Sequence, residues 1–154
     1  MTSEIVLNIL NYIDNNLYNN ISIDTIANTL CYDKSYLMKL FKREIGISII
    51  SYVNYMKIVN SISLFDNDDY LLKVCMNSGY NSLEYYSEMF KMVTGVNPTT
   101  YKKYLKHNNV NQKDLLLIKK FLVRHNIFVN YIDSYRKGIK DTESMKLLLE
   151  NKVS

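Results

Sequence analysis

Residues 41–52 read FKREIGISIISY, and residues 90–101 read FKMVTGVNPTTY. Phe, Lys, Gly and Tyr recur between these two segments at a constant offset of 49 residues. Further upstream the offset falls to 48, so the second copy carries one additional residue. Several matches in one register indicate an internal structural repeat. Tyr36 with Tyr85 still matches at offset 49, and the matches at offset 48 are Tyr32 with Tyr80 and Ile26-Ala27 with Val74-Cys75.

Two short helices joined by a tight turn are predicted for the first copy. Apolar residues recur at three- and four-residue spacing after Ser22 and again after Asp33, and both residues are favoured N-caps. Gly46 suits the end of the second helix, because glycine readily adopts the left-handed conformation found there. Basic residues on the open face of the second helix complete the pattern of a helix-turn-helix. This helix is predicted to bury Tyr36, Leu37, Leu40, Phe41 and Ile45.

The remaining elements are also predicted to be helical. A longer helix connects the two copies, and Asn97 and Pro98 begin a last short helix as cap and first residue. The sequence predicts an all-α fold of two helix-turn-helix subdomains joined by a long connecting helix, plus a mostly helical C-terminal extension. The predicted bounds are about 22–46 for the first helix-turn-helix, 48–65 for the connecting helix, 70–95 for the second helix-turn-helix and 98–106 for the last helix, in a domain at 1–107, with the extension at 108–154.

The extension at 108–154 is less clearly patterned than the repeat. Residues 127–132, IFVNYI, fit either a strand or more helix, and residues 144–150 fit a further helix. So short a segment is marginal for an independent hydrophobic core. We expect it to pack on the second subdomain, to pair with another copy of the chain, or to begin a truncated domain.

The formal net charge of +4 lies entirely in the extension. Residues 1–107 hold ten basic and ten acidic side chains, whereas residues 108–154 hold nine basic and five acidic ones. Total charge is therefore a weak argument for a nucleic-acid partner of the repeat-bearing part. The basic extension could add nonspecific affinity for DNA.

Composition excludes several other classes of protein. No apolar run approaches the ~20 residues of a membrane span, and the acidic N-terminus lacks the features of a signal peptide. Two Cys and two His, far apart, predict no metal site and reduced thiols in the cytoplasm. No nucleophile–base pair or phosphate loop is present, so we predict neither an enzyme nor a cofactor. Abundant Asn, Ile, Lys and Tyr, which have A/T-rich codons, favour a bacterial source.

Five fragments carry a family resemblance: Ile23-x-x-Ile-Ala27, Ser35-Tyr-Leu-x-Lys-Leu-Phe-Lys42, Gly46-x-Ser48-x-x-x-Tyr52, Gly79-Tyr80-x-Ser82, and Phe90-Lys-x-x-x-Gly95-x-x-Pro98-x-x-Tyr101. Together they resemble the DNA-binding domain of AraC/XylS-type transcription regulators over roughly residues 5–106. The resemblance implies two helix-turn-helix subdomains whose second helices enter successive major grooves. Many family members carry a ligand-binding or dimerisation domain ahead of this unit. We expect this chain to be either a stand-alone regulator or a piece of a longer one.

The resemblance makes residues 35–45 the first recognition helix. Lys39 could donate to guanine O6 or N7, and Met38 could contact a thymine methyl group. Arg43 and Lys34 are placed for phosphate contacts. The alternative interpretation is that these basic side chains only solvate an exposed face. The predicted DNA contacts of this helix are Ser35, Met38, Lys39, Lys42 and Arg43.

The second recognition helix is placed by the resemblance at about residues 82–94. Position 88 is commonly basic in the family, but here it is Glu. Glu can accept from cytosine N4, yet Glu84 and Glu88 would both face a polyanion, which is costly unless both find donors. The second subdomain therefore either engages DNA weakly or contacts cytosine-containing steps. Its predicted DNA contacts are Glu84, Tyr85, Ser87, Glu88 and Lys91.

Further lysines are predicted to contact phosphate. Tyr55 and Lys57 stand where two basic residues are common in the connecting helix of the family, so only one charge is kept there. One neutralised phosphate fewer lowers the salt-dependence slope by about 0.9. The predicted phosphate contacts are Lys34, Lys57, Lys102 and Lys103, with Lys106 nearby.

The sequence thus predicts a sequence-specific transcription regulator that binds promoter DNA. RNA polymerase is a second partner that such a function allows, self-association through residues 108–154 is a third, and no membrane partner is expected. The alternative hypothesis is a protein-interaction module that keeps the fold but binds DNA weakly or nonspecifically. The neutral charge of residues 1–107 and the pair Glu84 and Glu88 motivate that alternative.

Overall fold

The computed structural model describes residues 3–67 and 70–138, and within these residues all regular structure is helical, with no β-strand. The predicted all-α fold class is therefore confirmed. The predicted helix at 144–150 lies outside the described residues. The helices are α1 (Glu4–Asn16), α2 (Ile23–Leu30), α3 (Lys34–Ile45), α4 (Ile49–Ile62), α5 (Leu71–Asn77), α6 (Leu83–Thr94), α7 (Pro98–Leu105) and α8 (Gln112–Arg136), with a 3₁₀ helix at Ser63–Asn67 after α4.

The chain divides into two compact units. Of the residues that the structure describes, unit 1 comprises 3–16, 21–51 and 122–138. Unit 2 comprises Leu17–Asn20 and Tyr52–Phe121. Helix α8, which falls in the predicted C-terminal extension, therefore contributes its first part to unit 2 and its second part to unit 1. The extension is not a separate body within the described residues.

Unit 1 is centred on α1, α2 and α3, which pack against one another. Each helix buries one apolar stripe, as expected of amphipathic helices around a common core. Helix α8 adds three large side chains to the buried set of this unit. The buried residues of these four helices in unit 1 are Val6, Ile9, Leu10 and Ile13 of α1, Ile26 and Ala27 of α2, Leu37, Leu40, Phe41 and Ile45 of α3, and Phe128, Tyr131 and Ile132 of α8.

The turn between α2 and α3 is defined by local caps. The Ser22 side chain accepts from the Thr25 amide at the start of α2, and Asp33 Oδ2 accepts from the Tyr36 amide at 3.1 Å at the start of α3. Cys31 ends α2 in the left-handed conformation, with φ 61°. Gly46 ends α3 with φ 95°, where its amide donates to the Lys42 carbonyl at 2.9 Å. These caps satisfy helix-end groups that would otherwise lack partners.

Unit 2 is held together by an aromatic cluster around Phe90. The Phe90 ring lies 5.7 Å from Phe65, 5.8 Å from Tyr86 and 5.6 Å from Tyr101, measured between ring centroids. Phe121 of α8 extends the cluster, because its ring lies 6.2 Å from Tyr101. Tilted and edge-on pairs at these distances add to the stabilisation from buried area.

Gly79 allows the turn before α6 to approach the short segment Leu17–Asn20 of unit 2. Its φ is +88°, and a Cβ there would lie 3.2 Å from the Tyr18 carbonyl oxygen. A side chain at this position would be strained both by the backbone conformation and by the close backbone oxygen.

Two features of α4 and α8 refine the sequence prediction. The sequence predicts the connecting helix at about 48–65, whereas α4 ends at Ile62 and a 3₁₀ helix follows. Residues 127–132 are helical, so the strand interpretation of this segment is wrong. Within this run Phe128, Tyr131 and Ile132 are buried at helical spacing, whereas Val129 is 47% exposed. Within the described parts of the chain, no helix is long and apolar enough to cross a membrane.

Candidate nucleic-acid interface

Helix α3 separates a buried apolar side from an exposed polar side. Leu37, Leu40 and Phe41 face the core of unit 1, and the predicted burial of these residues is confirmed. The opposite side is open to solvent because it lies half a helical turn from that stripe. All five side chains predicted to contact DNA from this helix are exposed: Ser35, Met38, Lys39, Lys42 and Arg43.

Tyr36 belongs to the exposed side of α3, so its predicted burial is wrong. Its side chain is 48% exposed, and its ring lies 6.3 Å from that of Tyr32, which is also exposed. Tyr36 is the third residue of α3, and the first turn of a recognition helix is where base contacts concentrate. The 49-residue repeat identifies it, because its counterpart Tyr85 is among the predicted contacts of the second recognition helix.

Lys34 stands at the first position of α3 and is already paired. Its Nζ lies 3.3 Å from Asp24 Oδ1 of α2, and both side chains are largely exposed. An exposed pair of this kind contributes little to stability, typically about 0–1 kcal/mol. Lys34 can therefore exchange this carboxylate for a phosphate at small cost.

Helix α6 has the same division into two sides in unit 2. Tyr86, Phe90 and Thr94 are buried, and the Thr94 hydroxyl donates to the Phe90 carbonyl at 2.9 Å. The Ser82 side chain caps the helix by accepting from the Tyr85 amide at 3.2 Å. Of the side chains predicted to contact DNA, Ser87 is half-buried, and the exposed ones are Glu84, Tyr85, Glu88 and Lys91.

The exposed sides of α3 and α6 carry opposite charge. At the shared offset of 49, Lys39 corresponds to Glu88, whereas Lys42 corresponds to Lys91. The α3 side carries three cations and no carboxylate among its candidate contacts, and the α6 side carries two carboxylates and one cation. Only the first of these two surfaces matches the charge of a polyanion without further adjustment.

Lys57 does not fit the predicted phosphate contact, and this prediction is corrected. Its side chain is only 7% exposed, and its Nζ donates to the Gly79 carbonyl at 3.4 Å within unit 2. The ammonium also lies 5.5 Å from the centroid of the Tyr80 ring, where a cation is attracted by the ring face. Burial lowers the pKa of Lys57. The lysine stabilises the turn before α6 instead of reaching solvent.

The lysines of α7 remain at or near the surface. Lys103 and Lys106 are exposed and Lys102 is half-buried at the C-terminal end of α7. Cations at this end of a helix interact favourably with the helix dipole. Asn97 fixes the other end, because its Oδ1 accepts from the Thr100 amide at 2.8 Å.

The two cysteines differ in exposure. Cys75 is buried, and burial raises the pKa of its thiol, which makes it a poor nucleophile. Cys31 is exposed at the end of α2. Across residues 3–67 and 70–138, no group of three or more His, Cys, Asp or Glu side chains is arranged to hold a metal ion.

About half of the chain matches a known protein family. Residues 26–104, which run from α2 to α7, match the model of a family described as a helix-turn-helix domain. All candidate contacts on α3 and α6 lie inside this range, whereas α1 and α8 lie outside it.

Bacterial regulators are among the curated relatives of this chain. The chain is 23% identical over 112 residues to YbfP of Bacillus subtilis, an uncharacterized HTH-type transcriptional regulator, covering 72% of this chain and 38% of that protein. It is 26% identical over 101 residues to the regulatory protein PocR of Salmonella typhimurium, covering 65% of this chain and 33% of PocR. The HTH-type transcriptional activator AarP of Providencia stuartii is 25% identical over 118 residues, with 76% of this chain and 84% of AarP covered. The chain thus spans about a third of the length of YbfP and PocR.

Solved structures share the fold over a similar part of the chain. A protein of unknown function from Listeria innocua is 29% identical with a TM-score of 0.64, covering 66% of this chain and 98% of that one. The C-terminal domain of AraT, a response regulator from Geobacillus stearothermophilus, is 23% identical with a TM-score of 0.64. The match covers 72% of this chain and 91% of the AraT domain. At that identity the second likeness concerns the fold alone.

Proposed function

Because this chain belongs to the AraC-type helix-turn-helix family of transcription regulators, we propose that it binds promoter DNA in a sequence-specific manner. In this proposal α3 and α6 are the two recognition helices, and residues 1–107 contain the DNA-binding part. Such a role places the protein in the bacterial cytoplasm. RNA polymerase and a second copy of the chain, bound through residues 108–154, are the further partners proposed.

The exposed cationic side of α3 is the observation that carries this proposal. Leu40 and Phe41 fix the opposite side of the helix in the core of unit 1. The orientation of the exposed side chains is therefore set by packing, which is what a recognition helix requires. An α-helix also fits the width of the major groove of B-DNA.

Each side chain of α3 has a proposed role that follows from its chemistry. Lys39 donates to guanine O6 or N7, and Met38 contacts a thymine methyl group. Lys42 and Arg43 in the last turn bind phosphate, and Lys34 in the first turn does the same. Tyr36 joins this surface, where its hydroxyl can donate to a phosphate oxygen or its ring can contact a base edge.

The proposed role of α6 depends on its two carboxylates. Glu84 and Glu88 can each accept from the N4 amino group of a cytosine, and Tyr85 and Lys91 can bind the adjacent phosphates. Lys102 and Lys103 of α7 supply further cations in unit 2. Unit 2 is accordingly proposed to favour cytosine-containing steps and to add less affinity than unit 1.

Selection of binding sites from random duplex DNA tests the proposal directly. We expect an enriched sequence with two conserved segments one helical turn apart, about 10–10.5 base pairs, contacted by one copy of the protein. Fluorescence anisotropy with the enriched duplex and a shuffled duplex then measures the specificity ratio. Equal affinity for the two duplexes would contradict sequence-specific binding and favour the protein-interaction alternative. A single conserved segment per copy would remove α6 from the proposal.

Glu88→Arg is expected to tighten DNA binding by about tenfold, because it replaces a carboxylate that repels phosphate with a cation. The measurement is the Kd for the selected duplex and for a shuffled duplex at one salt concentration. Glu4→Arg in α1 is the matched control, since it makes the same charge change at another exposed helical position.

The pattern of the two affinities identifies what Glu88 does. A gain on both duplexes with an unchanged specificity ratio indicates that α6 lies near the backbone but that Glu88 contacts no base. A gain accompanied by a lower ratio indicates that native Glu88 contacts a base. If Glu88→Arg and Glu4→Arg change the Kd equally, α6 does not approach DNA.

A further inference from the structure

The C-terminal part of α8 contacts the C-terminal end of α3 within unit 1. Helix α8 lies outside the range 26–104 that matches the helix-turn-helix family, whereas α3 lies inside it. Two tyrosines of α8 reach the same residue of α3, Glu44, by different atoms. Glu44 directly follows Lys42 and Arg43, which are proposed to bind DNA phosphate.

Tyr131 satisfies a backbone group at the end of α3. Its hydroxyl donates to the Glu44 carbonyl oxygen at 2.7 Å, and its side chain is buried. The last four carbonyl groups of an α-helix have no partner within the helix. Gly46 provides one bond to this end of α3 through the Lys42 carbonyl, and Tyr131 provides a second from outside the helix.

Tyr135 holds the side chain of the same residue. Its hydroxyl donates to Glu44 Oε2 at 2.6 Å and accepts from the Ser3 amide at 3.3 Å. A carboxylate near the C-terminus of a helix is disfavoured by the helix dipole, so a donor at this point offsets an unfavourable position. Burial and the hydrogen bond to Glu44 raise the pKa of Tyr135, so the hydroxyl stays protonated.

A separate contact attaches α8 to α1. Arg136 donates to Asp14 Oδ2 at 2.6 Å and to Asn11 Oδ1 at 3.0 Å. Phe128 and Ile132 of the same part of α8 are buried. Helix α8 therefore has one set of polar bonds to the recognition helix and another to α1. Replacing Arg136 removes the second set and leaves the bonds to Glu44 in place, whereas replacing Tyr135 also removes the bond from the Ser3 amide.

From these contacts we propose that Tyr131 and Tyr135 are positioning residues for DNA binding. They fix the last turn of α3 and thereby the direction in which Lys42 and Arg43 leave the helix. Binding groups must be held to within about 0.5 Å by their supporting residues if their contacts are to form fully. This inference rests on the proposed function. It gives the second half of α8 a role in DNA binding by α3 of unit 1.

The test combines a double variant with two matched controls. Tyr131→Phe with Tyr135→Phe removes both hydroxyls that contact Glu44 and leaves the rings in place. Arg136→Met removes the polar contact of α8 with α1 but none with α3. Tyr70→Phe removes a hydroxyl from a side chain that is 88% exposed in unit 2. Each protein is studied well below its own unfolding temperature, so that all are fully folded.

Two measurements are made on every variant: the Kd for the selected duplex, and amide hydrogen exchange of residues 40–46. We expect the double Phe variant to bind about fivefold more weakly and to exchange these amides several-fold faster. We expect less than a twofold change in both quantities for Arg136→Met and Tyr70→Phe. If α8 acted only by stabilising unit 1, Arg136→Met would weaken DNA binding and speed amide exchange as much as the double Phe variant does.

Failure of the positioning role and failure of the proposed function give different results. If the double Phe variant exchanges residues 40–46 like the wild type, or if Arg136→Met weakens DNA binding equally, the positioning role is overturned. If the wild-type protein itself does not distinguish the selected from a shuffled duplex, the proposed function fails. The exchange measurement needs no DNA, so it still decides whether the two tyrosines hold the end of α3.

Discussion

Replacing both Lys39 and Lys42 with Glu is expected to weaken binding of the selected duplex by at least about a hundredfold. Both side chains are exposed on α3, so the substitutions leave the buried side of the helix intact. Lys39 is proposed to donate to a base edge, and Lys42 to a phosphate. Fluorescence anisotropy measures the Kd, and circular dichroism establishes that the variant keeps its helical content and thermal stability.

The expected hundredfold loss of affinity has two sources, a lost contact to a base edge and a lost contact to phosphate. A specific contact to a base edge contributes about 1–3 kcal/mol of discrimination, which Glu at position 39 cannot provide to guanine. Each lost phosphate contact lowers the salt-dependence slope by about 0.9, and a carboxylate in its place adds repulsion. The slope of log Kd against log salt concentration should therefore be shallower for the variant than for the wild type.

A matched control separates contact from net charge. Lys119→Glu with Lys120→Glu makes the same charge change at two exposed positions of α8. We expect this pair to weaken binding by less than about fivefold, through long-range electrostatics that salt screens. If both pairs of substitutions weaken DNA binding equally, Lys39 and Lys42 make no direct contact with DNA. The assignment of α3 as a recognition helix would then be wrong.

Local chemistry made the helix ends predictable. Ser22 and Asp33 were expected to be N-caps, and both side chains accept the expected amide hydrogen bonds. Asn97 was likewise expected to cap the last short helix, and it does. Such caps depend on residues within four positions of each other, so a single sequence contains all the information they require.

Burial at the margins of a helix was less predictable. Tyr36 has the spacing of a buried residue, but it lies 48% exposed on the edge of the stripe. Its counterpart in the repeat, Tyr85, is likewise 45% exposed, whereas the next residue, Tyr86, is fully buried in unit 2. Helical spacing defines a stripe only to within about one residue on each side, and the partners that cover its edge come from other helices.

Contacts between distant residues could not be obtained from spacing at all. Lys57 was assigned to the surface by its place in the family pattern, yet it donates to a carbonyl 22 residues away. Tyr131 and Tyr135 meet Glu44 across 87 and 91 residues of sequence. These bonds depend on how the helices of each unit pack, and a pattern of apolar residues does not specify the polar partners at its ends.

Phe90→Ala is expected to lower the free energy of unfolding by about 3–5 kcal/mol. The Phe90 side chain is fully buried and its ring contacts Phe65, Tyr86 and Tyr101. Truncation to Ala removes the transfer free energy of the ring and leaves a cavity among rigid aromatic neighbours that cannot easily fill it. Urea unfolding followed by circular dichroism gives the change directly.

The internal repeat supplies a counterpart for this experiment, and α6 supplies its control. Phe41, which corresponds to Phe90, is also fully buried, so Phe41→Ala should cost a comparable amount in unit 1. Met92 lies on α6 with a 75% exposed side chain, and Met92→Ala should change stability by less than about 0.5 kcal/mol. A cost below about 1 kcal/mol for Phe90→Ala would contradict the aromatic core of unit 2. That core fixes the buried side of α6, so its failure would also remove the physical reason for the direction in which Glu84 and Glu88 face.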